Sequence, residues 1–153
     1  MRFMLLMIPG GYEAAGPELD LPVDAVEKMM AYNQSLVDAG ILRNAEGLHP
    51  PAVGKRVSFK GGKPLITDGP FAESREALGG FWIIEVGSLE DATAWAARCP
   101  AQENEIIEVR RLQEMEDFSS EVQEVAKGLD LEGSGWSRTG SAACQALTVS
   151  TCA

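Results

Sequence analysis

His49 is the only histidine of the chain, and it closes the stretch Glu46-Gly47-Leu48-His49-Pro50-Pro51 on a bend stiffened by two prolines. The following proline restricts His49 to extended backbone. A side chain at such a strand end projects into whatever cleft flanks the sheet, and imidazole is the group best suited to moving protons near neutral pH. Nineteen positions later, Thr67-Asp68-Gly69-Pro70-Phe71 puts a carboxylate on a tight turn. Asp68 has two readings. It bonds its own backbone, as turn aspartates do, or it accepts an imidazole N–H from His49. The second arrangement fixes the tautomer and raises the basicity of the other ring nitrogen, which acid–base pairs need. His49 divides in the same way, between a solvent-facing loop histidine and a proton carrier. The spacing permits a meeting of the two groups and does not require it.

Other residues suit a binding role around that pair. Arg56 and Ser58 alternate with Val57 and Phe59, so if the apolar pair faces the helices, Arg56 and Ser58 face the other side. An arginine there favours a carboxylate or phenolate, although a solvated strand face is the plainer reading. Pro70 and Phe71 continue the Asp68 turn and complete the candidate binding set, while Phe71, Trp82 and Trp95 also suit core positions. Glu73, Arg75 and Glu76 read as a solvated loop. Cys99 precedes Pro100 and reads as a small buried hydrophobe rather than a nucleophile. Three cysteines without CxxC spacing give neither a disulfide framework nor a zinc site. Gly61-Gly62-Lys63-Pro64 is no phosphate loop, because the GK[ST] element and its helix are missing. No G-x-S-x-G elbow occurs. One histidine makes a dedicated transition-metal site improbable and leaves only a single axial ligand for haem.

The elements that would hold these groups follow from pattern. Arg2 to Ile8 reads as a strand apolar on both faces. A loop leads to a helix from about Pro22 to Ala39, with Asp20 as cap and Gly40 as stop, and with Val26, Met29, Met30, Asn33, Leu36 and Val37 inward. Ile41 to Leu48 and Val53 to Lys60 read as strands, and Gly61-Gly62 turns the chain into a short return arm, Pro64 to Thr67. Gly80 to Val86 is a strand apolar on both sides. Ser88 caps a second helix whose inward residues are Leu89, Ala92, Trp95, Ala96 and Cys99. Glu105 to Leu112 is the last strand. A third helical pattern covers Asp117 to Asp130, and from Gly133 a Gly/Ser/Thr/Ala-rich tail is expected to be disordered. The domains expected are thus 1–115, a C-terminal helix 116–132 and a tail 133–153.

The order β-α-β-β-α-β with a hairpin extension predicts an α+β, ferredoxin-like split β-α-β sheet. Strands apolar on both faces need a second cover, and a second copy of the sheet supplies it, so a dimeric α/β barrel is expected. The chain has 153 residues, room for one domain plus an appendage. A net charge of −10 argues against nucleic acid and membrane surfaces as partners. Its one N-terminal apolar run, Phe3 to Ile8, is too short to span a bilayer, which suggests a cytoplasmic protein.

Several motifs taken together resemble a known family. They are Met4-Leu5-Leu6-Met7, Tyr32-Asn33 with Ala39-Gly40, Glu46-Gly47-Leu48-His49-Pro50, Thr67-Asp68-Gly69-Pro70-Phe71-Ala72-Glu73, Gly80-Phe81-Trp82 and Glu108-Val109-Arg110. In this order, over Met1 to Phe118, they resemble the YCII-related proteins of the DGPF branch. The resemblance implies the ferredoxin-like dimeric barrel and a His/Asp site in its cleft, here His49 and Asp68. Many relatives of this branch carry another residue where His49 stands. One branch of the wider family is linked to dehydrochlorination of a chlorinated hydroxyquinol, and some DGPF proteins are associated with extracytoplasmic-function sigma factors. The expectation is a homodimeric, cofactor-independent enzyme that moves a proton on an aromatic or other small organic acid by elimination or isomerisation. The alternative is a noncatalytic small-molecule-binding module acting with a protein partner, as in sigma-factor regulation. A third reading, by analogy with other dimeric barrels, is an oxygenase with or without haem.

Overall fold

The fold is that of a computed structural model, which describes residues 1–18, 21–71 and 76–126. The expected Asp20 cap, Glu73, Arg75, Cys144, Cys152 and the tail from Gly133 lie outside the described residues. The chain divides into two units, Met1–Leu112 and Gln113–Ala153.

In the first unit the elements are β1 (Arg2–Ile8), α1 (Val23–Asp38), β2 (Leu42–Gly47), β3 (Lys55–Lys60), β4 (Lys63–Asp68), β5 (Gly80–Glu85), α2 (Leu89–Ala96) and β6 (Ile106–Arg111). Four strands form one antiparallel sheet in the order β2-β5-β1-β6. The two longest apolar runs, β1 and β5, therefore lie in the middle, where both edges are paired. This order is that of a ferredoxin-like split β-α-β sheet, so the α+β architecture is as expected.

Alternation along the central strands separates two faces. Phe3, Leu5 and Met7 of β1 and Trp82 and Ile84 of β5 pack with Tyr32 and Leu36 of α1 and with Ala92 and Ala96 of α2. Small residues on α2 let that helix approach the sheet closely. The opposite parity, Met4, Leu6, Ile8, Phe81 and Ile83, shares the other face of the sheet. Tyr32 and Trp82 meet edge to face at 5.7 Å, a favoured aromatic geometry. Each polar tip is satisfied: Trp82 Nε1 donates to Asn33 Oδ1 at 2.8 Å, and the Tyr32 hydroxyl donates to the Trp95 carbonyl at 3.1 Å. Burial pushes the Tyr32 phenol up to about 12.

Both helices differ in part from the expected stripes. Tyr32 rather than Val26, Met30 or Val37 faces the core from α1, and those three are exposed. The inward stripe is set by the aromatic and Leu36 at helical spacing, with Met29 and Asn33 beside them. Leu89 of α2 is likewise exposed at the first turn, where Ser88 Oγ accepts the Asp91 N–H at 3.0 Å. α1 opens at Val23 with Pro22 as its flanking residue and no side-chain cap.

β3 and β4 form a separate two-stranded ribbon. Gly61 and Gly62, both at positive φ, make the two-residue turn that suits a right-twisted hairpin. The condition that Val57 and Phe59 face the helices is not met: every residue of both strands is exposed. In the second unit a 3-10 turn, Met115–Asp117, precedes α3 (Ser120–Ala126). The helix begins after Asp117 because Phe118 is extended, and Gln123 Nε2 returns to the Phe118 carbonyl at 2.9 Å. Among the described residues no helix is long and apolar enough to cross a membrane.

Candidate functional site

The His49 segment leaves the four-stranded sheet at the end where β1 and β2 finish and β5 begins. A relay of hydrogen bonds fixes the backbone just before His49. The Gly79 N–H donates to the Met7 carbonyl at 2.9 Å, the Leu48 N–H donates to the Gly79 carbonyl at 2.8 Å, and the Tyr12 hydroxyl donates to the Leu48 carbonyl at 2.6 Å. Burial raises the Tyr12 phenol above its ordinary value. Pro50 is fully buried and Pro51–Val53 forms a 3-10 turn, so His49 leaves the sheet on a rigid stem.

The Asp68 turn docks onto that stem. The Gly54 N–H donates to the Pro51 carbonyl at 3.0 Å, and the Gly69 N–H donates to the Gly54 carbonyl at 3.0 Å. A Cβ on Gly69 would lie 1.7 Å from the Pro51 oxygen, so only glycine fits. The Gly69–Pro70 peptide is cis. Pro51 is two residues past His49 and Gly69 is one residue past Asp68, so backbone contact joins the two candidate segments.

The side chains are arranged less simply than the backbone. His49 is exposed and makes no hydrogen bond to a described residue. The Asp68 carboxylate is bound by Lys55, its cross-strand partner, in an exposed ion pair. The ribbon register sets Lys55, Val57 and Phe59 on one face with Asp68, Ile66 and Pro64, and Arg56 and Ser58 on the other with Thr67 and Leu65. Arg56 and Asp68 therefore leave the ribbon in opposite directions. The Arg56 guanidinium lies 4.0 Å above the centre of the Phe71 ring, which orients its planar donors. Ser58 Oγ lies 3.4 Å from the Leu65 carbonyl, and Pro70 is exposed. The segments meet, the imidazole and the carboxylate do not bond, and the Arg56–Phe71 stack forms beside the turn.

Two participants were missed in the sequence. Tyr12 lies in a loop with no local signal beyond the preceding Gly10-Gly11. Lys55 was legible in principle, since a two-residue turn at Gly61-Gly62 pairs Lys60 with Lys63 and, counting back, Lys55 with Asp68. Cys99 is half-buried, and desolvation raises its thiol to about 11, which leaves it protonated and inert. A shallow hollow lined by Ile41, Val86, Asp91, Trp95 and Arg98 sits at the other end of β5, away from His49. It is remote from the docked segments, so the site is read from them.

The YCII-related domain model matches residues 1–116. "Uncharacterized protein R00369" of Rhizobium meliloti (strain 1021) is 34% identical over 68 residues, which is 44% of this chain. The matched stretch covers 55% of that protein, so this chain spans about half the length of the curated relative it matches.

Proposed function

From the premise that the chain belongs to the YCII-related domain family, we propose that the His49 stem and the Asp68 turn form one open site that binds a small organic acid and moves a proton on it. The observation that supports this most is the docking of Gly69 against Pro51, a contact that tolerates no side chain and that holds the two segments in one place. His49 is the proton carrier: it is exposed, on a rigid stem, and free of bonds to described residues. The Arg56 guanidinium, flattened on Phe71, receives the acid's carboxylate as a two-pronged donor. Asp68, paired with Lys55 on the ribbon face opposite Arg56, does not touch the acid and acts on the site only at longer range, its charge favouring a protonated imidazole on the neighbouring stem. Elimination or isomerisation suits this set, since both need only that a proton leave one atom and reach another. No activated nucleophile stands beside His49 among the described residues. Pro70 and Ser58 shape the rim.

The chain acts as a homodimer in this reading. Met4, Leu6, Ile8, Phe81 and Ile83 share the face opposite α1 and α2, and a second sheet covers such a face in a dimeric barrel.

NMR of the His49 imidazole, with benzoate as the probe acid, tests the proposal. Benzoate shifts the His49 resonances in the wild type, and Asp68→Asn and Arg56→Gln each weaken the response at least tenfold with the fold unchanged. His49 resonances indifferent to benzoate and to Asp68→Asn refute a shared site.

A further inference from the structure

The hollow at the far end of β5 is built by the outer layer of the core. Ile41 follows α1 and Val86 follows β5, and with Trp95 they pack against the buried cluster while part of each stays open to solvent. They line a space of about 410 Å³, within the size range of small-molecule pockets. Gly87 and Ala94 border it too, and these two small residues leave the room that a larger side chain would fill.

Two opposite charges stand over this apolar floor. Asp91, Ala94, Trp95 and Arg98 follow the i, i+3, i+4, i+7 pattern that sets them on one face of α2 and its closing turn. The Arg98 guanidinium lies 3.9 Å above the centre of the Trp95 ring, which holds its planar donors in one orientation. The Asp91 carboxylate hangs beside Gly87, where an added Cβ would meet its Oδ2 at 3.1 Å. Seven positions separate Asp91 from Arg98, about 10 Å along a helix, and the two do not form an ion pair. Neither side chain has an ion pair or a hydrogen-bonded partner among the described residues, and Arg43, two positions past Ile41, is already taken by Glu85.

Charge and shape together select the occupant. A simple anion is attracted by Arg98 and repelled by Asp91, and a simple cation meets the reverse. A molecule with both charges, one at each end of a short apolar chain, is attracted at both ends and covers Ile41 and Val86 between them. We infer that this hollow binds a small zwitterion of that kind, an amino acid whose amine and carboxylate are parted by several methylene groups. Its amine donates to the Asp91 carboxylate, its carboxylate accepts two parallel bonds from Arg98, and its chain lies on the apolar floor. The site is separate from the His49 stem and does not depend on the function proposed there.

NMR titration with ε-aminocaproate tests it, read at the indole N–H of Trp95 and assigned by the loss of that resonance in Trp95→Phe. Circular dichroism confirms that each variant folds. In the wild type ε-aminocaproate shifts the Trp95 resonance saturably. Caproate, which lacks the amine, and hexylamine, which lacks the carboxylate, each bind at least tenfold more weakly. Asp91→Asn and Arg98→Gln each weaken binding of ε-aminocaproate at least tenfold, and Ala94→Leu, which fills the space, abolishes the shift. The absence of a saturable shift overturns the inference. So does binding of caproate as tight as that of ε-aminocaproate, which leaves Arg98 an ordinary surface cation, and so does a response indifferent to both charge substitutions. Each of these results leaves the His49 proposal standing.

Discussion

Gly69→Ala strikes the contact on which the candidate site is built. The new Cβ would fall 1.7 Å from the Pro51 oxygen and 2.8 Å from its carbonyl carbon, where ordinary contact begins at 3.4 Å. The obstacle is backbone, so no side chain can swing away. Relief requires the turn and the stem to separate by about 1.7 Å, the difference between those two distances. Such a shift breaks the Gly69–Gly54 hydrogen bond and strains the Gly54–Pro51 bond, each now 3.0 Å. Net losses of about 1 kcal/mol per bond, together with about 1–3 kcal/mol for overpacking, give about 2–5 kcal/mol. Urea unfolding followed by tryptophan fluorescence reads the global share of that loss. Hydrogen exchange at the Gly69 amide reads the local share, and protection there falls at least thirtyfold, the equivalent of about 2 kcal/mol. Gly16→Ala, with nothing within 4 Å of its Cβ, is the control and changes neither measurement. A Gly69→Ala protein within about 0.5 kcal/mol of wild type, a change typical of a plain surface site, with Gly69 protection retained, refutes the docked-segment account.

Two further outcomes follow from the titrating groups. Cys99, raised to about 11 by burial, is alkylated by iodoacetamide at pH 8 far more slowly in the native protein than in urea; equal rates would show that the thiol is not held in the core. Glu85 is lowered from 4.5, first by the hydrogen bond from Arg43, whose Nε donates to Glu85 Oε2 at 2.8 Å. A lowered carboxyl stabilises the fold above its unfolded value and loses that contribution as pH falls through its folded one. Arg43→Met therefore reduces stability more at pH 7 than at pH 2, where only its bonds to the Gly40 and Leu42 carbonyls are lost, and the difference is no more than about 1 kcal/mol because both side chains are half-exposed. An equal loss at both pH values would remove the ion pair from the explanation.

Much of the architecture was legible in order and parity alone. The run Phe3-Met4-Leu5-Leu6-Met7-Ile8 has apolar residues of both parities, and such a strand belongs in the interior of a sheet, where β1 is found between β5 and β6. Gly61-Gly62 marked the hairpin, and Ser88 marked the start of α2. The α1 stripe was harder, because two apolar faces compete on that helix. Val26, Met30 and Val37 have the right spacing and the wrong direction, and only the position of Trp82 selects Tyr32 as the inward residue.

The candidate residues themselves were named by chemistry that local sequence can express: a lone imidazole before two prolines, and an acid on a glycine-proline turn. That their backbones touch was decided in three dimensions, since the Pro51–Gly69 contact joins segments separated by an entire hairpin. The partners of the side chains were likewise set by register and packing. Asp68 is taken by Lys55 because the ladder places them opposite, Arg56 turns the other way to lie on Phe71, and Tyr12 reaches Leu48 across 36 positions. Periodicity and turn chemistry act over a few residues and so are written in the chain. Which groups face one another depends on distances closed only by folding.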